Sequence, residues 1–93
     1  MPARLIDEPI EVIAHFDKEG IHPLRFKWQD KAYRISEIIL RPTDEDVRNK
    51  KMNFHVHVKG DSETDYSLVF NIEDFTWRLS LVQRYEPGDD FED

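Results

Sequence analysis

His55-Val56-His57 places two imidazoles two residues apart inside a run, Asn53 to Lys59, where Phe54, Val56 and Val58 alternate with polar residues. Along an extended strand, residues i and i+2 share a face roughly 7 Å apart, within reach of one metal ion. His15 sits in a similar alternating run and would supply a third ligand if the two strands were neighbours. His55, His57 and His15 are therefore the candidate metal ligands. The plainer reading is the solvent side of an amphipathic strand, and because the sequence does not locate the carboxylates that would complete or support a site, no metal and no cofactor is assigned.

The second constellation is basic. From Pro23 to Ile35, apolar and cationic residues alternate on either side of a short polar turn, with Leu24, Phe26 and Trp28 on one face and Arg25 and Lys27 on the other. A turn centred on Asp30-Lys31 would set Trp28 opposite Tyr33, Phe26 opposite Ile35 and Lys27 opposite Arg34. Lys27 facing Arg34 is an unfavourable like-charge pair unless something neutralises it. A carboxylate from an adjacent strand is the ordinary answer; a phosphate, with Ser36 beside Arg25, is the functional one. Arg25, Lys27, Lys31 and Arg34 are thus the candidate anion or nucleic-acid residues.

Other chemistries are excluded more firmly. Asp61-Ser62-Glu63-Thr64-Asp65 opens like a calcium loop, but Tyr66 and Ile72 occupy the positions that need glycine and glutamate. With only Gly20, Gly60 and Gly88, neither a P-loop nor a dinucleotide fingerprint can be written. There is no cysteine for a disulfide, a thiolate site or a nucleophile. Ser36, Ser62, Ser67 and Ser80 lack the nucleophile-elbow context, and no histidine is recognisably paired with a serine and a carboxylate, so no catalytic residue is assigned.

The elements that must position these residues are nearly all strands. Ile10 to Phe16 alternates as a first strand, and Asp17-Lys18-Glu19-Gly20 supplies turn chemistry before the hairpin that starts at Pro23. A third strand runs to about Leu40, where Ile38-Ile39-Leu40 puts apolar side chains on both faces, as in a sheet that curls or closes. Thr43-Asp44-Glu45-Asp46 reads as the N-cap and acidic first turn of a short helical stretch over 43–50. Two further strands follow, Asn53–Lys59 and Tyr66–Ile72. A loop over Glu73–Thr76 would then set Ile72, Phe70 and Leu68 of the second against Trp77, Leu79 and Leu81 of a sixth strand. The expected fold is an all-β, single-domain antiparallel meander of about six strands, a small barrel or strongly curved sheet, over residues 1–85. Residues 86–93 are expected to form a mobile acidic tail. The first and sixth strands would have open edges, closed within a barrel or paired across a dimer, and the sequence leaves the oligomeric state open.

Net charge is −7 and unevenly spread: residues 22–59 carry nine Lys or Arg against five Asp or Glu, whereas residues 60–93 carry two against ten. A basic middle between acidic ends allows a local anion-facing surface while disfavouring indiscriminate binding to phosphate backbones or anionic lipid. The longest apolar runs are triplets, too short for a signal-peptide core or a membrane span, so a cytoplasmic protein with no membrane association is expected. The functional expectation is a non-enzymatic binding or adaptor module with a protein partner. The alternatives are a nucleic-acid accessory domain and a histidine-based metal site.

Leu5-Ile6-Asp7-Glu8-Pro9-Ile10-Glu11-Val12, then Pro23-Leu24-Arg25-Phe26-Lys27-Trp28, Tyr33-Arg34-Ile35 and a closing Trp77-Arg78-Leu79 together resemble a family of small bacterial domains of unknown function. The resemblance covers nearly the whole chain. The family's hairpin reads aromatic-x-Trp-x-Gly-Arg-x-Tyr-x-Val, and Asp30 stands here in place of its glycine. Some domains of this kind are appended to proteins like translesion polymerases, which implies an accessory role near DNA repair. The resemblance transfers no catalytic residue; Trp28, Tyr33 and Trp77 are the residues it marks, and they read as fold-defining.

Overall fold

A computed structural model describes residues 3–59 and 63–85. Gly60 to Ser62 of the expected polar loop and the expected tail over 86–93 lie outside the described residues. Among those described, the chain forms β1 (Ala3–Asp17), β2 (Gly20–Trp28), β3 (Lys31–Arg34), β4 (Glu37–Leu40), α1 (Asp44–Arg48), β5 (Lys51–Val58), β6 (Glu63–Asn71) and β7 (Thr76–Tyr85). The strands make one antiparallel sheet in the order β3-β2-β1-β7-β6-β5-β4. The all-β curled meander is therefore present, with the expected third strand divided into β3 and β4.

Two segments change partner part-way and so produce the curl. β1 pairs with β7 along Ala3–Ile10 and with β2 along Glu11–Asp17. At the break between β3 and β4, the Ile35 N–H donates to Leu24 O of β2 at 3.0 Å and the Ser36 N–H to His57 O of β5 at 2.8 Å. Successive amides of an extended chain point to opposite edges, so these two residues lie between β2 and β5 and draw the sheet into a half-barrel. The expected open edges on the first and last strands are corrected: β1 and β7 pair with each other, and the ends of the sheet are β3 and β4. The apolar triplet near residue 39 is not buried on both faces either. Ile38 packs on the core while Ile39 and Leu40 are exposed, and the curl comes from partner switching.

The concave face holds the core: Phe26 and Trp28 from β2, Phe54, Val56 and Val58 from β5, Tyr66, Leu68 and Phe70 from β6, and Trp77 and Leu79 from β7. Leu24 does not join them. β1 residues Ile13 and Ala14 pair with Arg25 and Pro23, so Leu24 is the unpaired residue of a bulge and turns outward, half exposed. A second bulge lies in β1 between Leu5 and Glu8, where Asp7 takes φ +55. Arg78 fastens it, donating from Nε to Asp7 Oδ1 at 2.8 Å and from a terminal nitrogen to Asp7 O at 2.7 Å. Beyond this bend Glu8 accepts a 2.9 Å hydrogen bond from Trp28 Nε1, which satisfies the indole of a buried tryptophan.

Both predicted hairpin registers shift. Gln29 (φ +53) and Asp30 (φ +63) form a two-residue turn of the mirror-image type that matches strand twist, so Trp28 pairs with Lys31, Phe26 with Tyr33 and Arg25 with Arg34. The turn centre lies one residue earlier than expected, every pair moves by two, and the face assignments survive except at Leu24. The β6–β7 loop likewise spans 72–75: Asn71 Oδ1 accepts from Glu73 N, Asp74 Oδ1 from Thr76 N, and Phe75 N donates to Asn71 O. Phe70 thus meets Trp77, not Leu79. Because left-handed backbone suits Asn-Gly far better than Gln-Asp, the double change Gln29→Asn, Asp30→Gly is expected to add about 1 kcal/mol to unfolding free energy in urea. A loss of stability would contradict the turn assignment.

α1 stands where the acidic tetrad predicted it. Thr43 Oγ1 accepts from Asp46 N at 3.1 Å, and Asp46 Oδ2 accepts from the backbone N–H groups of Thr43 and Asn53, each at 3.3 Å. Desolvation pushes the Asp46 carboxyl up, but the hydrogen bonds from Thr43 and Asn53 outweigh it and hold the group below its ordinary value of 3.8. Thr43→Ala is expected to cost about 1 kcal/mol. The depressed acid contributes stability that is present above its unfolded value and lost as pH falls through the folded one. Asp46→Asn should therefore be less stable than wild type at neutral pH, and the gap should begin to close as pH falls below about 4 in thermal melts.

Candidate functional site

Arg25 and Lys27 alternate with buried Phe26 and Trp28, so both project from the outer face of β2. β3 adds Arg34 and Ala32 to that face, because Arg25 pairs with Arg34 and Lys27 with Ala32. Lys31 does not belong there: it pairs with Trp28 and shares Tyr33's face, its Nζ 5.7 Å from the Tyr33 ring centroid. The basic face is thus Arg25, Lys27 and Arg34. The like-charge pair expected at Lys27–Arg34 stands instead at Arg25–Arg34, with opposed Cβ atoms about 5 Å apart. Among the described residues no carboxylate lies within 4.0 Å of these three cations, although Glu11 of β1 is the Cα partner of Lys27. Ser36 is engaged elsewhere, its Oγ accepting from Lys59 N at 3.1 Å.

Ile13 pairs with Arg25 from the β1 side and is 60% exposed. With Glu11, Arg25, Lys27 and Ala32 it lines a depression of about 390 Å³ that runs across β1, β2 and β3 beside the arginine pair. The face therefore has a small apolar floor and a cationic rim. The aromatics of the same hairpin are turned away from it: Phe26 and Trp28 are buried, and Phe26 stacks on Tyr33 with centroids 5.0 Å apart.

The histidines divide into two clusters. β7 and β6 lie between β1 and β5, so His15 cannot join His55 and His57 in one metal site, and that expectation is withdrawn. Instead, β6 places Asp65 opposite His57. Asp65 Oδ1 lies 2.5 Å from His57 Nδ1 and its Oδ2 3.3 Å from His55 Nε2, and the side chain is 6% exposed. His55 Nδ1 lies 3.3 Å from Ser67 Oγ, so a serine, a histidine and a carboxylate do meet, contrary to the sequence reading. The tautomer that donates from Nε2 to Asp65 leaves Nδ1 to accept the Ser67 hydroxyl proton. The arrangement orders protons along a sheet. Ser67 sits in β6 between β5 and β7, where the β6–β7 register shifts between Ser67 and Leu68, and its carbonyl accepts from Ser80 Oγ at 3.3 Å. Asp65 is the residue that sequence reasoning missed: its position opposite His57 was invisible until the β5–β6 register was known.

The second cluster is at the β1–β2 turn. His15 and His22 are cross-strand partners with ring centroids 6.0 Å apart. Asp17 Oδ1 lies 3.0 Å from His22 Nε2, and its Oδ2 3.6 Å from His15 Nε2. The hydrogen bond with His22, aided by one from Glu19 N at 2.8 Å, holds the Asp17 carboxyl below its ordinary value. Arg41 approaches His22 Nδ1 from the other side at 3.4 Å. The signal was present in the sequence, since a turn over Lys18-Glu19 sets His15 against His22. No protein-family model, curated protein or solved structure matches this chain.

Proposed function

We propose that this chain is a non-catalytic binding module that takes an acidic, partly aliphatic segment of a protein partner on the outer face of β1, β2 and β3. The observation that carries this reading is the directly opposed Arg25–Arg34 pair, which no described carboxylate neutralises, beside the apolar floor at Ile13 and Ala32. Like charges held side by side are paid for in stability and favour an arriving anion. β3 is also an edge strand, so an extended segment can add to the sheet while its acidic side chains reach the arginines. The resemblance to small bacterial accessory domains supports an appended adaptor acting in the cytoplasm, and no helix among the described residues is long and apolar enough to cross a membrane.

Nucleic acid is the weaker partner. Single-strand binding relies on exposed aromatic platforms, and Phe26 and Trp28 of this hairpin are committed to the core; the net charge of −7 adds repulsion. The test is an amide NMR titration with a short synthetic peptide alternating glutamate and valine, and in parallel with single-stranded DNA, at low and high salt. Salt-sensitive shifts at Ile13, Arg25, Lys27, Ala32 and Arg34 with the peptide are expected. They should be lost in Arg25→Glu, Arg34→Glu, with affinity falling at least roughly tenfold. A stronger response to DNA would replace this reading with the nucleic-acid one, and silence towards both would end it.

A further inference from the structure

The β1–β2 hairpin end carries a second constellation that binding on the arginine face does not use. We propose that His15, Asp17, Glu19 and His22 form a divalent transition-metal site, with zinc the ion their chemistry suits best. The strand register assembles it. His15 faces His22 across the hairpin, Asp17 follows His15 on the same face, and the residue opposite Asp17 is Gly20, beside which there is open space. Ligand atoms of Asp17, Glu19 and His22 all lie within 4.8 Å of one another, and His15 Nε2 is 3.6 Å from Asp17 Oδ2. In a tetrahedral zinc site with bonds of 2.0–2.1 Å, ligand atoms stand roughly 3.3 Å apart, so Asp17, Glu19 and His22 close on an ion by movements of up to about 1.5 Å, while His15, near Asp17 but outside that group of three, must swing further to join as the fourth ligand. Two imidazoles and two carboxylates match zinc; calcium would want more oxygen ligands.

The structure also identifies what the ion must displace. Arg41 can only donate, so at 3.4 Å it faces an accepting His22 Nδ1, and the His22 proton then lies on Nε2, directed at Asp17 Oδ1. A metal on Nε2 takes the place of that proton. The imidazole stays neutral by carrying its proton on Nδ1, and Arg41, now facing a donor and a cation, must swing away. Arg41 therefore opposes metal uptake, and an acceptor at position 41 would favour it.

The experiment is a zinc titration of the full, untagged chain by calorimetry and amide NMR, with Co²⁺ absorption as a second readout of four-coordinate geometry. Expected are one equivalent bound, shifts confined to residues 15–22 and Arg41, and at least a roughly tenfold loss of affinity in His22→Ala and in His15→Ala. Arg41→Gln should tighten binding roughly tenfold, and His55→Ala should leave it unchanged. Shifts centred on His55 and His57, unchanged affinity in His22→Ala, or no binding at millimolar zinc would each overturn the proposal. The arginine-face variants do not touch these ligands, so the two readings stand or fall separately.

Discussion

Replacing Asp65 by alanine is expected to lower the unfolding free energy by about 3 kcal/mol, which for a domain of this size lowers the melting temperature by roughly 12–24 °C. The side chain is 6% exposed and serves two imidazoles, which are 24% and 15% exposed. Truncation removes from a half-buried site the carboxylate that His55 Nε2 and His57 Nδ1 share, and a buried donor that loses its acceptor costs about 1–3 kcal/mol. Residual exposure of the histidines keeps the figure at the low end for broken buried pairs. Asp65→Asn separates charge from hydrogen bonding. The amide oxygen can still accept from His57, and its nitrogen can donate to His55 Nε2 if that ring moves its proton to Nδ1, where Ser67 accepts. About 1 kcal/mol is expected for that change. Denaturation in urea with matched m-values checks both, and an alanine variant within 0.5 kcal/mol of wild type (about the size of a neutral surface change) would show that the carboxylate is not structural.

Asp65 also marks the limit of what could be read in advance. Strand identity was legible because each strand's alternation is local: Phe54, Val56 and Val58 point inward whatever lies beside them. Register was not legible, because it depends on turn centres. Moving the Gln29-Asp30 turn by one residue moved every cross-strand pair by two, which preserved the aromatic and basic faces while replacing Lys27–Arg34 with Arg25–Arg34. Non-local neighbours were further out of reach. Nothing near His15 in sequence says that β7 and β6 separate it from His57, and nothing near Leu24 announces the bulge that turns it outward. Arg25, Lys27 and Arg34 share a face, yet Lys31 was misplaced because the expected turn included it, whereas in β3 strand alternation puts it on the face of Tyr33. The closing of the sheet followed from partner switching at Ile35-Ser36, which periodicity alone does not encode.

That closing makes Phe26 the residue whose loss should be felt most. It is 2% exposed, lies opposite Val12 of β1 and Tyr33 of β3, and meets Tyr66 of β6 edge-on with centroids 5.0 Å apart. Phe26 therefore joins the β1–β2–β3 end of the sheet to its opposite wall, and removing the ring opens a void bounded by elements that cannot all collapse inward. Phe26→Ala is expected to cost about 3–5 kcal/mol, a drop of roughly 12–40 °C in melting temperature, and Phe26→Leu about 1–1.5 kcal/mol. A specific ring contribution should appear on top of burial. Phe26 and Tyr33 stack with planes 15° apart, so a double-mutant cycle of Phe26→Leu with Tyr33→Leu should give a coupling of about 0.5–1.5 kcal/mol. Additivity within error would mean that the two rings act only by filling space. Hydrogen exchange locates the effect: Phe26→Leu should loosen the Ile35 amide, which bonds to Leu24 two residues away, before it loosens Leu68 at the centre of the large wall. Because the Arg25–Arg34 pair is the next step of the ladder after Phe26–Tyr33, on the opposite face, a seam loosened at Phe26 also spreads the cationic pair, so weaker acidic-peptide binding by Phe26→Leu would tie the core to the binding face.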